Sequence, residues 1–359
     1  MANTIDISGY TLNPSEQTEL SQFIVKQFMI QPTVSQIHMV WTGVKMKEQI
    51  ALVGRMGKSG ILDTSCIRPE SGATVPTSEK FWEPANIGDT FINCAVTMNG
   101  LFKAYFGKIN RYAEKFNIEG SDLDKLIIAM VEDSMSKAIL RFAWFGDKAV
   151  PTAGAAAAGL KVAGNAKFYN AIDGLWKQIF AGVTATTIKK VAISENAQVT
   201  LPLQLALAAD KARTTFDAMY AAATPELRAN PDAFILVSGN LFQNYYQSLI
   251  SKGQVYDINI LQNGLQTLSY LGKLVINMET VWDTDLFADF VDNTTNNAGY
   301  LPNRAVFSHM NNLPIATLNE ADLSLIESFW DPKERKNYTA YGYTVDAKVI
   351  REDEIVVAY

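Results

Sequence analysis

An α+β fold is predicted by three features of the chain: a strand of two-residue period near its end, a long amphipathic helix before its middle, and a buried strand-turn-helix between the two. From Tyr341 to Val349 the odd positions Tyr341, Tyr343, Val345, Ala347 and Val349 are apolar, while Gly342, Thr344, Asp346 and Lys348 between them are mostly polar. That alternation is the pattern of a half-buried strand. Arg351 to Glu354 then supply a charged turn, and Ile355, Val356, Val357, Ala358 and Tyr359 form a continuous apolar run. Left unpaired, such a run would be an adhesive edge, so a sheet must hold it.

From the start, residues 15–30 (SEQTELSQFIVKQFMI) can form a short helix, Pro32 interrupts, and a strand-like IHMVWTGV follows. The segment is too apolar for a free tail and reads as an N-terminal arm packed on its own domain or on a neighbour. Strands are expected over Lys47 to Val53 and Thr90 to Met98. Between them, residues 54–89 carry five glycines and three prolines and no regular apolar period. A connection that long without structure is uncommon in a compact domain and indicates a lid, a binding loop or a segment ordered by a partner.

Ser121 and Asp124 make a capping-box-like start, after which Leu123, Leu126, Ile127, Met130, Val131, Ala138, Ile139 and Phe142 recur at spacings of three and four. This is the clearest helix in the chain, although a core helix of an ordinary α/β enzyme would look the same. The Ala/Gly stretch from Thr152 reads as a flexible connector. KFYNAIDGLWKQIFAG then places Phe168, Ile172, Leu175, Trp176 and Ile179 on one face of a helix stopped by Gly182. A helix from Leu203 to Ala222 carries Phe216, Met219 and Tyr220, with Pro225 beyond its end. Ala233 to Val237 reads as a buried strand, Ser238-Gly239 as a tight turn, and the residues from Leu241 to Gly253 as a helix. Leu268 to Ile276 and Ala305 to Ser308 supply two further strands of the same α/β unit.

The bulk numbers narrow the class. With 359 residues and 48% hydrophobic content, the chain can bury the core of one large or two modest domains. A net charge of -6 with only 19% charged residues argues against a protein whose main affinity is for the nucleic-acid backbone. That sparse charge with 11% aromatics suits a surface covered by neighbouring subunits, a composition many monomeric enzymes share. The two cysteines, Cys66 and Cys94, form no CxxC pair and read as structural thiols in a reducing compartment. The N-terminus has no basic region followed by an apolar one, and no apolar run of about 18 residues occurs, so a soluble chain is expected, not secreted by the usual route. The sequons at Asn293 and Asn337 then read as chance.

The C-terminal pattern, with the strand Asn303-Arg304-Ala305-Val306-Phe307 and the NNLPIATL segment before it, resembles the close of major capsid proteins of tailed double-stranded DNA bacteriophages. The "GLWKQI" helix after the long helix is similar to one in the same family. The resemblance covers most of the chain in order and implies the capsid fold shared with encapsulins. Its layout would be an N-terminal arm over 1–42, an extended two-stranded loop over 43–98 reaching across an adjacent subunit, and a peripheral domain with the spine helix over 99–200. A central, axial α/β domain would follow over 201–312, with a return to the peripheral sheet over 313–359. The implied function is self-assembly of hexamers and pentamers into an icosahedral shell enclosing the phage genome. The implied partners are copies of the chain, scaffold and portal proteins, a decoration protein, and packaged DNA touched non-specifically, with no membrane. The implied location is the virion capsid, assembled in the bacterial host cytoplasm. The start at a methionine without a long charged helical leader adds the expectation of a separately encoded scaffold or a short propeptide at most.

No catalytic, cofactor-binding or metal-binding residue is assigned from the sequence. Gly57-Lys58-Ser59 approaches a phosphate-binding loop, but Leu52 stands where the spacing needs glycine, and no helix follows. The strand-turn-helix at Ala233 to Gly253 could hold a phosphate, yet it lacks GxGxxG. The only histidines, His38 and His309, are far apart in strand-like segments, where core or surface roles outweigh a triad. Glu132-Asp133, Asp283-Asp285 and Asp289-Asp292 follow no calcium-loop pattern and read as solvated faces and turns. Some family members cross-link a loop lysine to a neighbour's asparagine. Here Lys45, Lys47, Lys58 and Lys80 lie in or beside the loop, but no motif selects one. Two other readings stay open: an encapsulin-like compartment shell around a protein cargo, and a cytosolic α/β enzyme built on the strand-turn-helix.

Overall fold

Two sheets organise the chain, and each draws strands from distant parts of the sequence. The computed structural model describes residues 34–54, 56–62, 70–75, 77–94, 122–149, 163–253, 259–260, 265–293, 298–318, 326–334 and 336–359. The expected helix over 15–30, the cap at Ser121, Cys66 and the first part of the Ala/Gly connector lie outside them. In chain order come helix α1 (Val34–Ile37), strands β1 (Val40–Trp41), β2 (Gln49–Val53), β3 (Thr77–Phe81) and β4 (Ala85–Cys94), then helix α2 (Asp122–Phe145). Next are α3 (Leu175–Thr184), β5 (Lys189–Val191), α4 (Leu201–Leu205), α5 (Lys211–Ala222), α6 (Pro225–Ala229), β6 (Ala233–Val237) and α7 (Gly239–Ser251). The remainder is β7 (Asn259–Ile260), β8 (Gln266–Tyr270), β9 (Lys273–Asn277), α8 (Thr284–Asp289), β10 (Val291–Asn293), β11 (Ala298–Gly299), β12 (Ala305–His309), β13 (Ile315–Ala316), β14 (Ile326–Asp331), β15 (Lys336–Ala347) and β16 (Val356–Ala358).

The larger sheet has seven strands in the order β5-β16-β12-β6-β9-β8-β7 and is covered on both faces. All five residues of β6 are buried, but alternate ones serve different layers. Ala233, Ile235 and Val237 join Phe216 and Met219 of α5 and Leu241 and Tyr245 of α7, whereas Phe234 and Leu236 join the cluster holding Trp144, Trp176 and Trp282. A strand with no solvent face reads as an unbroken apolar run, which is why its sequence showed no alternation. Each such side chain contributes roughly 1.5–3 kcal/mol on burial.

The C-terminal run is paired, as its composition demanded. β16 inserts between β12 (antiparallel) and β5 (parallel). Val356 and Ala358 face α5 and α7, while Ile355, Val357 and Tyr359 face the tryptophan cluster. So the segment 313–359 does not return to one sheet: β13 to β15 join the smaller sheet and β16 joins the larger. Asn312 produces the split. Its Oδ1 accepts from Arg351 N–H at 2.6 Å, and its Nδ2 donates to the carbonyls of Arg351 and Glu354 at 2.9 and 3.1 Å, gripping the charged turn that redirects the chain.

Three other expectations are corrected by local geometry. Leu268 to Ile276 is not one strand but the hairpin β8-β9, because Leu271 and Gly272 both take positive φ (47° and 77°), the conformation of a two-residue hairpin turn. The helix expected over Leu203 to Ala222 is two, α4 and α5, broken ahead of Lys211, where Asp210 takes φ of 62°. The helix expected from Phe168 begins only at Leu175. Phe168 ends a 3-10 turn and is exposed, and Gly174 lies so close to the end of α2 that a Cβ there would meet Gly146 N at 2.6 Å. Gly182 does not stop α3, which runs on to Thr184.

The smaller sheet centres on β15, which pairs with β4 from Lys336↔Cys94 to Val345↔Ala85 on one side and with β14 and β13 on the other. β1 extends it beside β13, so the IHMVWTGV segment is sheet as well as arm. α2 lies against β14 and β15, burying Ile127, Val131, Met135, Ala138, Ile139 and Phe142, and Ser328 Oγ donates to Asp124 Oδ1 at 2.7 Å near its start. Beside α2, Trp144 and Trp282 stack edge-on at 4.8 Å and Trp176 meets Trp282 at 5.3 Å. Arg304, 1% exposed, lies in this aromatic core with its guanidinium 4.7 Å from the Trp176 ring, donating to the carbonyls of Leu301 and Tyr300.

Candidate assembly interface

One element has little core of its own. β2 and β3 pair from Gln49↔Phe81 to Val53↔Thr77, and Gly57 N–H donates to Thr74 O at 3.0 Å farther out. Residues 54–89 are therefore not structureless: β3 and the first part of β4 lie within them. Among the described residues, the ribbon is fixed at its base. Trp82, 1% exposed, packs with Val44, Ile50, Ala316 and Ile350, and its ring lies 5.6 Å from that of Trp41. Lys80 Nζ donates to Val349 O at 2.7 Å and pairs with Glu352 at 2.8 Å. Glu83 N–H donates to Asp346 Oδ2 at 2.7 Å, a carboxyl whose pKa is raised by burial despite Lys348 beside it.

Around and beyond that base, apolar side chains are exposed. Met46, Val53 and Leu62 are 72%, 70% and 83% exposed, and Met56, Ile61, Val75 and Phe81 are also largely uncovered. A two-stranded ribbon alone is marginally stable in water. One that also displays seven large apolar side chains is the candidate interaction surface among the described residues. A strand over Lys47 to Val53 was visible in the sequence, but the burial of its residues was not. Lys80 went unread as an anchor because its partners, Val349 and Glu352, are about 270 residues away, and Trp82 because Ala316 and Ile350 complete its pocket from the far end of the chain. Arg304 had a signal, a lone charge heading the apolar run Ala305-Val306-Phe307.

The sequence-flagged groups fall in separate places. Gly57, Lys58 and Ser59 sit exposed at the ribbon's outer end, and Lys45 and Lys47 are exposed near its base. The Ser238-Gly239 turn has no room for a phosphate, since Gly239 N–H donates to Asp283 Oδ2 at 2.9 Å and the α7 N-terminus is occupied by that carboxyl. His38 is buried in the core. Its Nε2 accepts from Trp144 Nε1 at 3.0 Å while Nδ1 contacts Leu313 O at 2.7 Å, and burial pulls its pKa down to about 4. His309 meets Glu354 at 2.7 Å instead. Asp133 pairs with Lys137, and Asp289 accepts from Asn165 and Tyr169. Among the described residues no group of three or more His, Cys, Asp or Glu side chains could hold a metal ion, and no helix is long and apolar enough to cross a membrane.

No family model and no curated protein sequence matches the chain. Solved structures do. The chain is similar to the capsid subunit of cyanophage A-1(L), with 14% identity and a TM-score of 0.51, over 97% of this chain and 99% of that one. It is also similar to the holo-SrpI encapsulin of Synechococcus elongatus, with 8% identity and a TM-score of 0.50, over 97% and 95% of the two chains. Both likenesses run nearly end to end, so they concern the architecture of the chain as a whole. The chain thus has the capsid fold that tailed phages and encapsulins share.

Proposed function

We propose that the protein is a major capsid protein, which self-assembles through hexamers and pentamers into the icosahedral shell around a tailed phage's double-stranded DNA. The observation that carries this is the β2-β3 ribbon: on a chain with the capsid fold, it exposes seven large apolar side chains and, among the described residues, is tied down at its base. A second copy of the chain is the surface that would cover it. Many modest contacts of this kind, repeated under closed symmetry, give a stable shell without any one being strong.

On this reading residues 1–42 are the arm, 43–98 the loop reaching a neighbour, and 99–200 the peripheral domain with α2 as its spine. Residues 201–312 form the axial domain, with β5 and β16 contributing to its sheet, and the rest of 313–359 completes the peripheral sheet. The role is mechanical, with no catalytic group and no cofactor. The net charge of -6 suits a wall against which packaged DNA must slide, touched non-specifically. Scaffold and portal proteins, and a decoration protein on the outer face, are the further partners, and the finished protein resides in the virion after assembly in the bacterial cytoplasm.

The likeness to the encapsulin supports a second reading, a shell around a protein cargo. Electron microscopy of the purified, overexpressed chain tests both. Shells, tubes or rings of five or six subunits are expected. Nucleic acid inside shells taken from the native source supports the capsid, a protein cargo supports the compartment, and a uniform monomer or dimer refutes both.

A further inference from the structure

The joint between the two sheets is a stretch of chain that side chains hold in place. β15 ends at Ala347 in the smaller sheet, β16 begins at Val356 in the larger, and residues 348–355 between them belong to neither. Buried backbone groups outside a strand or helix still need partners. Here four elements supply them. From α3, Gln178 Nε2 donates to Ala347 O at 2.7 Å while its Oε1 accepts from Val349 N–H at 2.9 Å, so one amide side chain stands in for a neighbouring strand. From the 3-10 turn Met310–Asn312, Asn312 O and Oδ1 accept from the N–H groups of Ile350 and Arg351 at 3.0 and 2.6 Å. From β12, Ser308 Oγ donates to Glu354 O at 3.0 Å, and His309 meets the Glu354 carboxyl at 2.7 Å. The fourth element is the ribbon. Its Lys80 Nζ donates to Val349 O, its Glu83 N–H donates to Asp346 Oδ2 at the end of β15, and its Trp82 shares a buried cluster with Ile350.

The first three supports are themselves fixed by the tryptophan cluster, through Trp176 and Ile179 of α3, Leu313 after the 3-10 turn and Val306 of β12. The ribbon has its root alone for an anchor among the described residues, so it is the support that can shift. Withdrawal of Lys80 would strip a donor from the carbonyl of Val349, a residue 1% exposed, and would release Glu352 from its ion pair. Little slack lies beyond that point. Residues 353–355 alone separate Glu352 from β16, Arg351 braces the turn by pairing with Glu354 at 2.7 Å, and Ile355 is already buried in the tryptophan cluster. We propose that residues 346–355 couple the ribbon to the seven-stranded sheet: the ribbon's root sets how firmly the crossover and β16 are held, and the crossover sets how firmly the root is held. The coupling needs no contact between ribbon and sheet, because hydrogen bonds and close packing carry a displacement from one to the other. It is reciprocal, as any coupling of two equilibria must be.

The test is amide exchange on the full-length chain as a lone subunit, with β6 as the internal reference. Wild type is compared with Lys80→Met, which keeps the aliphatic stem and removes the donor, and with Gln178→Leu, which removes the α3 support from Ala347 and Val349. In Lys80→Met, exchange relative to β6 should rise about tenfold at Val349, Ile350 and Arg351, and about threefold at Val356 to Ala358, as expected for the loss of one buried hydrogen bond felt with attenuation at the next element. In Gln178→Leu the rise should appear also at Lys47 and Trp82, whose N–H groups donate to Trp82 O and Glu48 O at the ribbon's root. A rise in Lys80→Met that is confined to Val349, Ile350 and Arg351, or that β6 shares in full, overturns the coupling. Should Lys80→Met fail to fold, an unchanged ribbon root in Gln178→Leu overturns it alone. The experiment reads a single subunit, so neither result bears on what the chain assembles into.

Discussion

The seven-stranded sheet and the β2-β3 ribbon are built on opposite principles. In the sheet, β6, β12 and β16 are buried on both faces by the chain's own helices and tryptophans. In the ribbon, Ile50 is buried at the base and Val53, Met56, Ile61 and Leu62 stand in the open. The first region is complete within one chain, and the second leaves its apolar side chains open among the described residues. If the proposed shell role holds, a subunit made this way can fold alone with its assembly contacts still open, which separates the energetics of folding from those of association.

That separation can be broken by substitution, beginning in the core. Trp282→Ala removes a fully buried indole touching Trp144 and Trp176, and should cost about 3–5 kcal/mol in chemical denaturation of the lone subunit. A loss well under that range would mean the aromatic core is not what holds the two sheets together. Next in size is an acid effect. His38 Nε2 accepts from Trp144 Nε1, so a proton placed there would face a donor with a donor. Its pKa is lowered from 6.5 to about 4, so stability should fall as pH drops through that interval, on the order of 3 kcal/mol in all, and level off below it. A stability curve over the same range that is no steeper in wild type than in His38→Gln would remove the assignment.

Smaller again is the ribbon's anchor. Lys80→Ala deletes a bond to Val349 O and a part-exposed ion pair with Glu352, worth about 1 kcal/mol to the subunit. Its sharper effect should be a misdirected ribbon and fewer closed shells by electron microscopy. Smallest for folding, and most telling for association, is the pair Val53→Ser and Leu62→Ser. Subunit stability should stay within about 0.5 kcal/mol of wild type. The protein concentration needed for assembly should rise on the order of tenfold per residue, since each buried aliphatic side chain is worth roughly one such factor. Light scattering against concentration measures it, and unchanged assembly would show that the ribbon is not an interface.

Much of the fold was legible because local pattern and tertiary role agree. The apolar run of β6 survives with its burial, as do Tyr343, Val345 and Ala347 of β15 and Ile127, Val131, Ala138, Ile139 and Phe142 of α2, whereas Asp346, expected on the polar face, is buried. Where reading failed, a backbone detail outweighed the pattern. Leu271-Gly272 turns inside what reads as one strand, Asp210 interrupts what reads as one helix, and Gly174 serves a close approach to α2 that no local signal announces. From its own residues the ribbon was legible as an oddity, a glycine- and proline-rich stretch with no core of its own, and only the family resemblance implied two paired strands. Its exposed residues look like any β pattern until burial is known, and its anchors depend on contacts across most of the chain.

The measurement closest to the central claim is amide hydrogen exchange in β2 and β3, compared between the lone subunit and the assembled particle, with β6 as the internal reference. Low protection of Ala51, Val53, Ser78 and Glu79 in the subunit and strong protection in the particle are expected, with β6 protected in both. Equal protection of the ribbon in the two states would contradict the claim, since its outward apolar face would then gain no cover on assembly.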